Sequence, residues 1–342
     1  MHFYSLMIPE MRDCMTGSVN TYSSRRSSSL LTSFVLAIIL SLGLGPVAAQ
    51  AQPSVITGAN VQKIANAVLT LMGYSLTPDV TTGSLSFSDV ATGAPGFSMT
   101  SLGGGFTWSK ERSLYLEGTA AYSRYDPSFV VSDGSQMRSI PVKWNSISGT
   151  AGIGWDFPIA EELVLRPMFN FSLGRVESDL LIAQRVIENN IGQDIDFLNK
   201  GRLDALGVGG SLMLDYERYR RENEIDVELR YTNIYLQSIN NSSEAVSGSA
   251  DSQSLSLWSR WRAPTGLTAL HRPVRYVLEF SHTQFLGDLR GAMGFSWLSA
   301  AGAGFELDSS AYNIIVTRTR LLARYKFGDG VQGWSLGLAV SF

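Results

Sequence analysis

Cysteine is almost missing from this chain: of its 342 residues only Cys14 is one. An internal disulfide is therefore excluded, and so is a thiolate zinc or iron–sulfur centre. Charge is scarce too. Charged residues make up 17% of the sequence, against about 25% in an ordinary soluble domain, and they nearly cancel to a net −3. Binding a phosphate backbone needs a concentrated basic surface, so nucleic acid is not an expected partner. No cofactor or metal is expected. After residue 51 no apolar run approaches the roughly 20 residues of a helical membrane span, which leaves no helical anchor downstream of that point.

What is present begins with a leader. Arg25 and Arg26 precede serines, an apolar run from Leu30 to Leu44, and the small-x-small site Ala49-Gln50-Ala51. Basic region, apolar core and cleavage site in that order describe a secretory signal peptide over residues 1–51. Cys14 leaves with it, which removes thiol enzymes from consideration. The exported remainder is either soluble or a β-barrel in an outer membrane.

Hydrophobicity in that remainder repeats every two residues, the period of a strand. From Gln332 to the end, Trp334, Leu336, Leu338, Val340 and Phe342 alternate with Gly333, Ser335, Gly337, Ala339 and Ser341. In 225–231, Asp226, Glu228 and Arg230 share one face. Twelve such segments are expected, at 84–90, 97–108, 113–124, 144–157, 162–176, 203–217, 223–236, 253–264, 273–284, 293–307, 313–327 and 332–342. Most reach the roughly 9–11 residues a tilted strand needs to cross a bilayer. Long connections (125–143, 177–202, 237–252) follow odd segments and short ones follow even segments, the loop asymmetry of outer-membrane barrels, which puts both termini on the short-turn, periplasmic side.

Aromatic residues on the apolar faces fall into two groups. Trp108, Trp155, Phe157, Tyr216, Trp261, Tyr276, Phe305 and Phe342 lie near the short turns; Tyr122, Tyr231, Tyr235, Trp297, Tyr325, Phe327 and Trp334 lie near the long loops. Two girdles are what a lipid-facing barrel carries. A secreted β-sandwich also alternates, but it buries its apolar face and ties no loop length to strand parity. The reading is an all-β chain forming a closed 12-stranded antiparallel transmembrane β-barrel over 84–342, with a short N-terminal helix in 52–83.

Parity assigns the interior charges: Glu117, Arg166, Asp215, Glu217, Asp226, Glu228, Arg230, Arg260, Arg262, Arg275, Glu279, Glu306, Arg318, Arg320, Arg324 and Lys326. Acids concentrate on the sixth and seventh segments and cations on the eleventh, nearly opposite in a ring of twelve. That is a transverse field able to select polar solutes. The competing expectation is local salt bridging that fills the interior, such as Arg230 with Asp226 or Glu228 and Arg275 with Glu279. Twelve strands lie between filled and open barrels.

The stretch Thr319–Phe342 resembles the C-terminal hairpin of solitary autotransporter-like outer-membrane β-barrels, and similarity of style extends over residues 84–342. The resemblance implies a Gram-negative outer-membrane location, contact with outer-membrane lipid, and insertion by the barrel-assembly machinery, which reads a terminal strand through Leu338, Val340 and Phe342. It departs from that family in having only residues 52–83 ahead of the first strand, so no passenger is expected. Within 52–83, Val61, Ile64, Ala65, Val68, Leu71 and Met72 recur at helical spacing. Family analogy suggests a helix in the interior; the apolar stripe equally suits a periplasmic cap or a helix resting on the membrane.

The functional expectation is a non-enzymatic barrel, structural or solute-passing. A surface receptor or adhesin acting through loops 125–143, 177–202 and 237–252 is the second reading and a lipid-facing hydrolase the third. His271 falls in an exposed turn. His282 faces outward while its neighbours Ser281 and Thr283 face inward, so a hydrolytic pair there requires a nucleophile from an adjacent strand.

Overall fold

A strand whose large apolar residues occupy one face must bury that face or immerse it in something other than water. This chain turns it outward. In the computed structural model, which describes residues 69–70, 72–73, 83–87, 96–108, 113–126, 128–132, 137–141, 144–178, 202–239, 248–290, 295–309 and 317–341, Trp334, Leu336 and Leu338 are 67%, 58% and 60% exposed. Ser335 between them is 8% exposed. The outer face is the apolar one, inverted relative to a soluble domain.

Fifteen strands form among the described residues: β1 (Gly83–Phe87), β2 (Gly96–Thr107), β3 (Leu114–Asp126), β4 (Ser128–Ser132), β5 (Met137–Pro141), β6 (Trp144–Trp155), β7 (Phe157–Ala160), β8 (Leu163–Ser178), β9 (Arg202–Tyr219), β10 (Glu224–Ile239), β11 (Ser249–Ala269), β12 (Arg272–Gly287), β13 (Trp297–Asp308), β14 (Arg318–Gly328) and β15 (Val331–Ser341). Twelve of them make one antiparallel meander in the order β1, β2, β3, β6, β8 and then β9 to β15. β1 also pairs with β15, with Ser84 opposite Leu336, and β6 with β8, so each of the twelve has a partner on both edges. β7 is a short flap on β8, and β4 with β5 forms a separate two-stranded hairpin.

The twelve long segments read from the sequence thus match twelve strands, with shifted ends. β10 and β11 continue their ladder to Gln237 opposite Ser249, so the connection expected over 237–252 is shorter, because its polar serines still pair by backbone hydrogen bonds. The connection expected over 125–143 contains the β4–β5 hairpin. β11 runs on to Ala269 through an irregularity between Pro264 and Thr268, where proline cannot donate to the ladder and Gly266 adopts φ +77°. The tight turn that follows places Leu270 and His271 both at positive φ, a conformation that disfavours branched side chains. β13 and β14 start at Trp297 and Arg318, later than 293 and 313. The leader, residues 179–201 and Phe342 lie outside the described residues.

Of the helix expected in 52–83, Leu69, Thr70, Met72 and Gly73 are described and are helical. Leu69 and Met72 are fully buried. Met72 packs against inward-facing Gly174 of β8, where an added Cβ would collide with its sulfur. The Gly73 carbonyl accepts a hydrogen bond from Ser252 of β11 at 3.4 Å, and a Cβ on Gly73 would touch Leu289. This stretch therefore lies against the inner faces of β8 and β11, toward their long-loop ends. It finds apolar company there: Val176, Leu203, Ala205, Ile234, Leu236 and Ala250 are buried on the same inner surface. The premise that the whole interior is polar is corrected: these apolar residues line part of its long-loop half, beside Ser238, Ser252 and Ser254.

Candidate functional site

The short-turn half of the interior carries the charges. Alternation fixes which face each side chain takes, and neighbouring strands in register bring those faces into rows. Of the charges assigned inward by parity, Arg166, Asp215, Asp226, Arg230, Arg262, Glu279, Glu306, Arg320 and Arg324 are buried. Leu338 and Val340 point outward on β15.

Three ionic groups organise the interior. Arg166 on β8 pairs with Asp156 and, at 3.0 Å, with Asp215 of β9, while its guanidinium stacks 3.9 Å over the Tyr115 ring. Arg230 on β10 donates two hydrogen bonds to Glu117 on β3, at 2.8 and 2.6 Å, and a third to Ser211 at 3.0 Å. Asn170 adds a hydrogen bond to Glu117 at 3.0 Å and accepts one from Ser211 at 2.6 Å. Four strands are thereby tied across the interior. The third group centres on Glu224, whose carboxylate meets Arg262 at 3.0 Å, Arg275 at 2.5 Å and Arg318 at 2.6 Å. Around it, Asp226 binds Arg260 at 2.9 Å and Arg262 at 3.0 Å, and Glu306 binds Arg320 at 3.2 Å. Arg324 of β14 pairs with Glu279 of β12 at 2.6 Å.

This arrangement corrects the transverse field. Acids of β10 and cations of β14 do not face each other across open water, because Arg318 reaches Glu224 directly and the two signs neutralise. The pairings expected along a single strand are replaced as well. Arg230 bonds Glu117 instead of Asp226 or Glu228, and Arg275 takes Glu224 and Asp308 instead of Glu279. Long arginines bridge strands because residues two apart on one strand lie side by side, pointing the same way, while a facing strand offers its acid head-on. Glu217 stands exposed at the mouth, and Glu228 lies between Asp215 and Trp258 in register.

Three charged residues of this network, Glu224, Asp156 and Asp308, escape the sequence reading. Glu224 shares the parity of Asp226 and Glu228, so the signal was there at the strand's first position. Asp156 lies between outward-facing Trp155 and Phe157, so the same alternation orients it inward just past the end of β6.

On the outer wall, His282 of β12 stands opposite Ser299 of β13, and His282 Nδ1 lies 2.8 Å from Ser299 Oγ. The adjacent-strand partner that the sequence could not name is Ser299. Trp297 stacks on the imidazole with ring centroids 5.8 Å apart, and Phe327 meets Trp297 edge-on at 6.2 Å. His271 is exposed in its turn.

No family model matches the sequence, and no curated protein matches it. Among solved structures, the chain is similar to the beta domain of the Bordetella autotransporter BrkA at 15% identity and TM-score 0.42, covering 75% of this chain and 97% of that one. It is similar to the translocator domain of autotransporter NalP from Neisseria meningitidis at 13% identity and TM-score 0.40, covering 83% and 100%. The transport unit of the autotransporter AIDA-I from Escherichia coli gives 10% identity and TM-score 0.42, covering 81% and 99%. The chain resembles autotransporter translocator domains.

Proposed function

We propose that the chain is an outer-membrane protein whose twelve strands close into a transmembrane barrel with a sealed interior, a structural or gated element rather than an open pore. The inverted distribution of side chains carries this reading: apolar residues such as Leu336 and Leu338 stand exposed while Glu306 is fully buried behind them. In water that arrangement is unfavourable on both faces; in a bilayer it is favourable on both. Closure is supported by the β1–β15 and β6–β8 ladders, since a barrel leaves no unpaired edge in lipid. The short turns face the periplasm in this reading, and insertion proceeds through the barrel-assembly machinery.

Sealing follows from a constriction and an occupant. The ion-pair groups of Glu117, Glu224 and Asp226 narrow the short-turn half without closing it, and Leu69, Thr70, Met72 and Gly73 sit in the long-loop half, so residues 52–83 act as a plug. No catalytic role is assigned to the interior. Deleting residues 52–83 and recording single channels in planar bilayers tests the plug: current should appear in the deletion and be absent from the full chain. A deletion protein that folds and still passes no current overturns it.

A further inference from the structure

The ionic network and the plug leave one polar feature unused, and it lies on the opposite surface. A histidine and a serine joined at 2.8 Å are placed on a wall of mainly aliphatic and aromatic side chains. His282 Nε2 is buried and has no partner among the described residues. An outward polar pair of this kind gains nothing from lipid contact, since hydrocarbon offers no hydrogen bonds in return.

The surroundings have a shape. Below Ser299, away from the long loops, the next outward residues of β13 are Ala301 and Ala303, both exposed. Ala301 lies between Phe280 and Tyr325 in register, and Ala303 between Leu278 and Ala323. Small side chains at 301, 303 and 323, bordered by Phe280 and Leu278 on β12 and by Tyr325 on β14, make a trough. Phe305 closes its lower end, packed on Tyr276 at 5.9 Å. From Ser299 to Phe305 is six residues, about 20 Å of strand, comparable to an extended acyl chain. The upper end is marked by Trp297, Phe327, Tyr325 and Trp334, a ring cluster of the sort that settles at the membrane interface. Ser299 sits one inward step below Trp297, just inside the interface.

We propose that Ser299 and His282 form a nucleophile–base pair acting on the acyl ester of a membrane lipid whose chain lies in the Ala301–Ala303 trough. The inference goes beyond the sealed-barrel reading and shares with it only the assignment of this wall to lipid. Ser299 Oγ bonds to the ester carbonyl carbon as its proton passes to His282 Nδ1. The ester C–O bond then breaks, the leaving alkoxide takes that proton, and an acyl-serine remains. Interfacial water attacks the acyl-serine, giving one proton to His282, which returns it to Ser299 Oγ as the fatty acid departs. Ser299 is only 4% exposed, so an ester enters when the Trp297 ring moves off the imidazole. With no carboxylate orienting His282 among the described residues, the pair supplies general-base assistance alone, roughly 10²–10⁴-fold.

The test uses the full chain folded in dodecyl maltoside micelles, with p-nitrophenyl palmitate as substrate and a fluorophosphonate as serine-directed label, the labelled peptide being identified by mass. Expected are hydrolysis above the micelle background, label on Ser299, and a loss of about 100-fold in both Ser299→Ala and His282→Asn. Ser281→Ala, on the inner face of the same strand, should retain the wild-type rate. Hydrolysis no faster than background, or a label that falls elsewhere, overturns the proposal. Should a variant lose its folded band on unheated gels, labelling of the wild type decides alone, and an unlabelled Ser299 overturns it. A wild-type protein that stays soluble without detergent contradicts the membrane reading instead.

Discussion

Glu117 and Arg230 stand 113 positions apart in the sequence and meet through two hydrogen bonds, with both side chains 5% exposed. The pair ties β3 to β10 across the interior. Removing one member of a buried pair strands the other charge, which costs on the order of 3–5 kcal/mol, whereas replacing both with apolar groups of similar size is often neutral. Glu117→Ala should therefore lower the urea midpoint of the folded protein in micelles strongly, and Glu117→Met with Arg230→Met should recover most of the loss. Tryptophan fluorescence against urea measures both.

Glu224 is a different kind of contact, one carboxylate facing Arg262, Arg275 and Arg318. Glu224→Gln keeps the shape and removes the charge, leaving Arg262, Arg275 and Arg318 around a neutral side chain with one fewer acid to balance them. In the chain lacking residues 52–83, this substitution should turn the interior toward anions. The reversal potential under a KCl gradient reads that preference, and it should shift toward the chloride potential relative to the same deletion with Glu224 intact.

How far the sequence carries the interior can be seen from these two acids. Alternation alone orients Glu117 and Arg230 inward, because a strand has only two faces, and twelve alternating segments follow from the same period. Partner choice is not local. Arg230 has Asp226 and Glu228 nearby on its own strand and bonds neither, since which acid meets which arginine depends on the stagger of strands around the ring. Register also hides Ser299: nothing in the order of residues says that position 299 lies opposite 282. The seat of Leu69 and Met72 is not local either: an apolar stripe does not suit a wholly polar interior, whereas the long-loop half carries Leu203, Ile234 and Leu236.

The seating of the helical residues makes a covalent prediction. A Cβ built on Gly73 lies 3.2 Å from the Cβ of Ser252, slightly inside the roughly 3.5–4.5 Å of a disulfide, so a small adjustment suffices. Gly73→Cys with Ser252→Cys, in a chain that also carries Cys14→Ser, should form the bond on mild oxidation. The linked protein should migrate differently on non-reducing gels, and a cut engineered between residues 74 and 82 should release the N-terminal fragment only after reduction. A fragment that leaves without reductant contradicts seating against β11.

Depth along the outer wall gives the last prediction. Leu336 is 58% exposed and four residues along β15 from Gln332, which lies beside the Asp329–Gly330 turn that ends β14. In lipid, an arginine costs about 2–4 kcal/mol at the bilayer midplane and about 0–1 near the interface. Leu336→Arg should then lower the urea midpoint in phosphatidylcholine vesicles by far more than Gln332→Arg does. In water the order reverses in sense, because exchanging an exposed leucine for arginine on a soluble surface is nearly free or favourable. Equal, small effects at the two positions contradict a membrane-facing wall, and with it both the sealed barrel and the lipid trough beneath Ser299.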